Sequence, residues 1–306
     1  MSIFEEEKRR SFQVFGLGQC PVDYLGKIKA YPLPDTKCEF SGLVVEGGGP
    51  AATAMVALAR WGVSCAFSGV VGDDLFSHVI KTSLEQEGVD TDGVLTRKGY
   101  DSQFAFIVIE PVAAQRTIFW RRPTGPLLKP EELDLGTIKK AKVLHLDGLY
   151  PDASLAACKA IRETGGQVVV DAGTLREGML DLAHVSDYFV VSETFAMSLM
   201  GDAPPMDACH RLAELGPKVV GVTLGARGYV AIAEGTVIER PAHPVDAVDT
   251  TGCGDAFHAG ITYGVVNQWD IEKSLDFGAW AAAMVSLKLG GRAGIPTLDQ
   301  IAQAGF

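Results

Sequence analysis

Asp249-Thr250-Thr251-Gly252-Cys253-Gly254-Asp255-Ala256-Phe257 sets small residues and two carboxylates immediately before an apolar helix. Gly252 and Gly254 allow unusual dihedrals and a close approach to a ligand, so successive amides can point into one cavity at a helix N-terminus. Such a cavity cradles anionic oxygen. Asp255, in the first helical turn, is within reach of it and can accept a proton from a hydroxyl attacking phosphorus. Taken alone, the stretch fits equally well a plain turn whose Asp255 complements the helix dipole.

Working outward, the spacing predicts a helix from about Asp255 to Asn267 and a last one from about Ile271 to Leu289, ending at Gly290-Gly291. Upstream, strands at Val143–Leu146, Gln167–Asp171, Tyr188–Ser192 and Val219–Thr223 alternate with helices at Ser154–Glu163 and Met206–Leu215. A shorter β-run, Tyr229–Ala233 with Val237–Arg240, follows them. Strands separated by helices imply an α/β fold with a mainly parallel central sheet flanked by helices.

The first 130 residues read differently. Strands are predicted at Phe12–Leu17 and Phe40–Val45, and an alanine-rich helix at Pro50–Trp61 follows Gly47-Gly48-Gly49. Two β-rich runs, Gln103–Glu110 and Arg116–Arg121, flank a short Pro-Val-Ala-Ala-Gln connection and suggest an antiparallel pair. These segments, near 12–20, 36–46 and 103–122, predict a small β-rich lid on a single domain spanning 1–306.

The net charge of -11 repels polyanions, which argues against nucleic acid or an anionic membrane as partner. No apolar run reaches the 18 residues of a membrane span. The opening MSIFEEEKRRS is too charged for a secretory signal, and six cysteines without C-x-x-C spacing fit reduced thiols, so a cytoplasmic protein is expected. The six histidines show no ligand spacing for zinc.

With its flanks, D-T-T-G-x-G-D-x-F resembles the C-terminal signature of the ribokinase-like (PfkB) sugar kinases. In the right order upstream, Gly47-Gly48-Gly49-Pro50-Ala51-Ala52-Thr53-Ala54 resembles the N-terminal signature, a glycine turn whose amides meet sugar hydroxyls; Thr53 stands where the family usually has Asn. Gly18-x-x-x-x-Asp23 is similar to the family's carboxylate for substrate hydroxyls. Gly69-Val70-Val71-Gly72-Asp73-Asp74 matches a stretch of mainly structural character. Thr223-Leu224-Gly225-Ala226-Arg227-Gly228 resembles the segment lining the nucleotide site.

The resemblance implies ATP and Mg²⁺ as cofactors, a sugar as substrate, Asp255 as general base and the Gly252, Cys253 and Gly254 amides as anion hole. Thr223, Gly225 and Gly228 would meet the nucleotide; Asp23, Gly48, Gly49 and Thr53 would meet the sugar. The family's N-x-x-E is lost, with Ser192 and Phe195 at its ends, which leaves metal ordering to Glu193, to water or to Asp249. Asp249 also matches the carboxylate beside a monovalent cation in relatives and leaves the use of K⁺ open. Detail near both ends, including Gly290-Gly291-Arg292-Ala293-Gly294-Ile295-Pro296, looks most like a branch of sulfofructose and ketose kinases. There Lys37, Arg121 and Arg122 would meet an anionic sugar, or else stand as solvated charges. A homodimer through the lid is expected because exposed lid edges need covering. The rival readings are a nucleoside kinase of the same family and a non-catalytic sugar or nucleotide sensor; a Rossmann dehydrogenase lacks its G-x-G-x-x-G after the first strand.

Overall fold

The computed structural model describes residues 12–110 and 115–306; the charged opening stretch and most of the Pro-Val-Ala-Ala-Gln connection lie outside them. The first half runs β1 (Val14–Leu17), β2 (Val22–Lys27), β3 (Ser41–Gly47), α1 (Pro50–Arg60), β4 (Cys65–Gly72), α2 (Leu75–Glu85), β5 (Asp90–Arg97), β6 (Phe104–Glu110) and β7 (Gln115–Arg121). Next come α3 (Leu135–Lys140), β8 (Val143–Leu146), α4 (Pro151–Arg162), β9 (Gln167–Ala172), α5 (Met179–Val185), β10 (Tyr188–Ser192), α6 (Glu193–Met200), α7 (Pro205–Ala213) and β11 (Val219–Thr223). The chain closes with β12 (Tyr229–Ala233), β13 (Thr236–Arg240), α8 (Cys253–Val266), α9 (Ile271–Ser286) and α10 (Leu298–Gln303).

Nine strands form one sheet in the order β13-β12-β11-β10-β9-β8-β1-β4-β5. From β5 through β11 neighbours run parallel, and β12 and β13 add antiparallel at one edge. Strands such as Val143-Leu144-His145-Leu146 are buried along their whole length because helices cover both faces of the sheet. Apolar side chains gather in two main clusters. One, around Met55, Phe67 and Phe277, lies under α1, α8 and α9; the other, around Leu144, Ile161 and Phe189, lies under α4 to α7. Gly260 and Gly278 let α8 and α9 cross so closely that a Cβ on Gly260 would stand 2.5 Å from the Gly278 Cα.

Chain order reverses where β1 enters between β8 and β4. In open parallel sheets that reversal leaves a crevice at the carboxyl ends of the strands.

A second sheet, ordered β3-β2-β6-β7, is the lid. Here the sequence expectation needs correction. Residues 12–20 do not belong to the lid: β1 pairs with β4 and β8 in the middle of the large sheet, where its four apolar or small residues are all buried. The lid strand is Val22–Lys27, in which Asp23 and Gly26 interrupt the apolar pattern that marks a strand in sequence.

Candidate active site

The D-T-T-G-C-G-D stretch forms the turn into α8. Gly252 is the N-cap with φ of 77°, so Asp255 is the third helical residue. A Cβ at Gly252 would lie 2.4 Å from the Gly291 Cα, whereas nothing stands within 4 Å of the place a Cβ would take at Gly254. One glycine is therefore needed for the fold, and the other leaves a free hollow at the helix start. The Cys253 thiol is pushed up to about 12, chiefly by burial, which keeps it protonated and poorly suited to act as a nucleophile.

Asp249 is completely buried and braces the turn. Its Oδ1 accepts from the Thr251 amide at 2.9 Å and hydroxyl at 2.8 Å, and its Oδ2 accepts from Gly290 N at 2.9 Å. On the adjoining residue, the Gly291 amide donates to Glu46 Oε1 of β3 at 2.7 Å, so one loop ties the turn to the lid.

Burial, then the neighbouring Asp171 carboxylate, raises Asp255 to about 7, against the pull of His258 and Arg116. Two more carboxylates converge from strand ends. Asp147, just past β8, accepts from Gln19 N at 2.8 Å and Leu149 N at 3.0 Å, at the point where chain order reverses; burial raises it to about 6. Asp171 is the next-to-last residue of β9 and is buried against His258. Neither stands in a motif named from the sequence. The signal that could have found them is position, a carboxylate at the carboxyl end of a buried strand.

Asp23 on β2 is 8 % exposed, and its Oδ1 is buried with no hydrogen-bond partner among the described residues. Burial and then Glu46 raise it to about 7. The glycine turn is shaped around this carboxylate: a Cβ at Gly48 would fall 1.8 Å from Asp23 Oδ2, and one at Gly49, whose φ is 93°, would meet the Gln19 carbonyl at 2.2 Å. Thr53 is buried in the first turns of α1, beside Gly291.

Lid register separates the expected cations from this site. Trp120, Ala105, Asp23 and Glu46 are aligned across the four strands, so their side chains share a face. Arg121 lies on the other face and pairs with Asp101 at 3.3 Å; Arg122 stacks over Trp120 at 5.0 Å; Lys37 is exposed on the loop before β3. None of the three meets Asp23. The cation that does reach the turn is Arg116, on the Asp23 face of β7, which donates to the Thr250 hydroxyl.

On the opposite flank, Thr223 ends β11, Gly225 is left-handed with no neighbour where a Cβ would be, and a Cβ at Gly228 would strike the Arg240 carbonyl at 2.0 Å. Glu193 is ion-paired with Arg227 of the same segment. Phe195, at the place of the family's Glu, is fully buried beside Phe189, so that position serves the core.

The chain belongs to the pfkB family of carbohydrate kinases, whose description matches residues 14–298. It is 29 % identical over 320 aligned residues to fructokinase-2 of Zea mays, covering 95 % of this chain and 94 % of that one. Fructokinase-1 of Oryza sativa subsp. japonica is 28 % identical over 317 residues, with 94 % and 96 % covered. Among solved structures, a ribokinase from Thermotoga maritima superposes with a TM-score of 0.83 at 24 % identity, covering 95 % and 98 % of the two chains. Arabidopsis thaliana ribokinase complexed with ribose and ATP gives 0.81 at 22 %, covering 96 % and 98 %.

Proposed function

We propose that this chain phosphorylates a free ketohexose, with fructose the first candidate, at a primary hydroxyl, using MgATP. Asp255 takes the hydroxyl proton, the oxygen bonds to the γ-phosphorus, the bond from phosphorus to the bridging oxygen breaks, and ADP leaves. The carrying observation is the raised Asp255 carboxylate set in the same helical turn as the open hollow at Gly254. Amides of Gly252, Cys253 and Gly254 face the moving charge, and Arg116 adds a positive charge from the lid. Asp23, with a buried oxygen free to accept, meets a sugar hydroxyl near Gly48 and Gly49.

Thr223, Gly225 and Gly228 line the nucleotide side. A cavity of about 650 Å³, bordered by Tyr229, Arg240, Pro241, Ala279 and Phe306, opens next to Gly228 and gives the base room. Magnesium would neutralise charge on the nucleotide phosphates, and with Glu193 paired to Arg227 it would depend mainly on phosphate oxygens and water. The fructokinase relatives favour a neutral ketose, and the placement of Lys37, Arg121 and Arg122 takes support from a sulfonated one. Free thiols throughout the described residues suit the cytosol. On the outer face of the lid Leu43, Val45 and Phe119 are exposed, which supports pairing of two lids in a homodimer.

The test is ADP release with MgATP and a panel of fructose, ribose, adenosine and sulfofructose. Fructose is expected to give the highest kcat/KM. Turnover on adenosine alone would make it a nucleoside kinase, and no turnover on any of the four would favour a sensor.

A further inference from the structure

His258 sits one helical turn below Asp255 on α8 and is 3 % exposed. Each of its ring nitrogens faces oxygen. Nδ1 lies 2.7 Å from the Gly254 carbonyl and 3.2 Å from Asp171 Oδ2, while Nε2 lies 3.1 Å from the Val190 carbonyl. Carbonyl oxygens only accept, so both nitrogens must carry hydrogen, and the ring is an imidazolium. A buried cation needs a counter-charge, and Asp171 supplies it. The hydroxyl of Thr262 donates to the His258 carbonyl at 2.9 Å, and so accepts from His145 Nδ1 at 2.9 Å, which places the His145 hydrogen on Nδ1; burial lowers His145 to about 3, so its ring is neutral beneath the pair.

We infer that Asp171 and His258 are a positioning pair for the base: a buried carboxylate and imidazolium that together set the pH at which Asp255 holds its proton. The inference rests on the proposed role of Asp255. Without His258, Asp255 would share its pocket with an unneutralised carboxylate, and one of the two would be forced to stay protonated. With it, the local charge below Asp255 sums to zero and the base is free to ionise near neutrality. The other charged groups acting on this pocket are Asp147 past β8, Arg116 from β7, Asp23 on β2 and Arg176 in the loop after β9. None of them touches both His258 and Asp171 by a hydrogen bond or ion pair among the described residues.

The experiment is the pH profile of kcat/KM for wild type, His258→Gln, Asp171→Asn and Asp255→Asn. Wild type is expected to lose activity below about pH 7, following Asp255. His258→Gln should move that acid limb up by about one pH unit and Asp171→Asn should move it down by about one, the usual effect of one close charge. A merely structural pair would lower activity and leave both limbs in place, and that result, or shifts in the same direction, overturns the inference. If Asp255→Asn retains wild-type turnover, the base assignment itself fails; if it is inactive and the other two limbs do not move, only the pair fails. Should either variant not fold, wild-type protein labelled with ¹⁵N-histidine decides. One of the six histidines is expected to carry hydrogen on both ring nitrogens in the active, folded protein, and six singly protonated rings would overturn the inference.

Discussion

Arg116, on the edge strand of the lid, donates to the hydroxyl of Thr250 in the turn that opens α8. This contact ties the second sheet to the turn at Gly252 and sets a positive charge beside the proposed phosphate site. Arg116→Gln keeps a hydrogen-bonding side chain and removes the charge. It is expected to lower kcat with fructose by about ten- to a thousandfold, as for loss of one oxyanion donor, while ADP binding measured by calorimetry changes less than threefold.

The two glycines of the turn separate folding from chemistry. Gly252→Ala must strain a left-handed φ and push Gly291 away, so a stability loss of about 2–4 kcal/mol is expected in urea unfolding. Gly254→Ala meets no neighbour. Its unfolding midpoint should stay within about 2 °C of wild type, and its turnover should fall at least tenfold because the methyl fills the hollow meant for phosphate oxygens.

Asp23 trades stability for binding. Its folded pKa near 7 is above the unfolded carboxylate value, so its contribution to stability is full below about pH 4 and is lost as pH rises through 7. At pH 8 the folded protein therefore carries a buried carboxylate whose burial and Glu46 neighbour outweigh the pull of Arg292. Asp23→Asn is expected to raise the melting temperature at pH 8 by about 2–4 °C, with little change at pH 4, and to raise the sugar KM at least tenfold. Differential scanning calorimetry at the two pH values checks the first part and steady-state kinetics the second.

Pairing of lids would bury the apolar outer strand residues. Phe119 is 55 % exposed at the centre of β7, and Phe119→Glu should convert a dimer into a monomer in light scattering at micromolar concentration while the melting temperature of the isolated fold holds within a few degrees.

Much of this was legible in the chain itself. Val143–Leu146, Tyr188–Ser192 and Val219–Thr223 are strands with the bounds their apolar runs predict, because a strand covered on both faces stays mainly apolar until it leaves the sheet. The turn at Gly252 was legible because only glycine tolerates its geometry. Strand Val22–Lys27 was hidden by Asp23 and Gly26, which interrupt the apolar pattern of a strand. Asp147, Asp171 and Arg116 were illegible for a different reason: each gains its meaning from a neighbour far away in sequence, Gln19, His258 and Thr250 respectively. Arg121 is a candidate from sequence while Arg116, on the same strand, is not, because only the register shows which face looks inward.

The central claim is that Asp255 accepts the proton of the attacking hydroxyl, and single-turnover phosphoryl transfer by Asp255→Asn with saturating MgATP and sugar tests it most directly. The rate is expected to fall by about two to four powers of ten with nucleotide binding retained. A transfer rate within a factor of three of wild type would contradict the account.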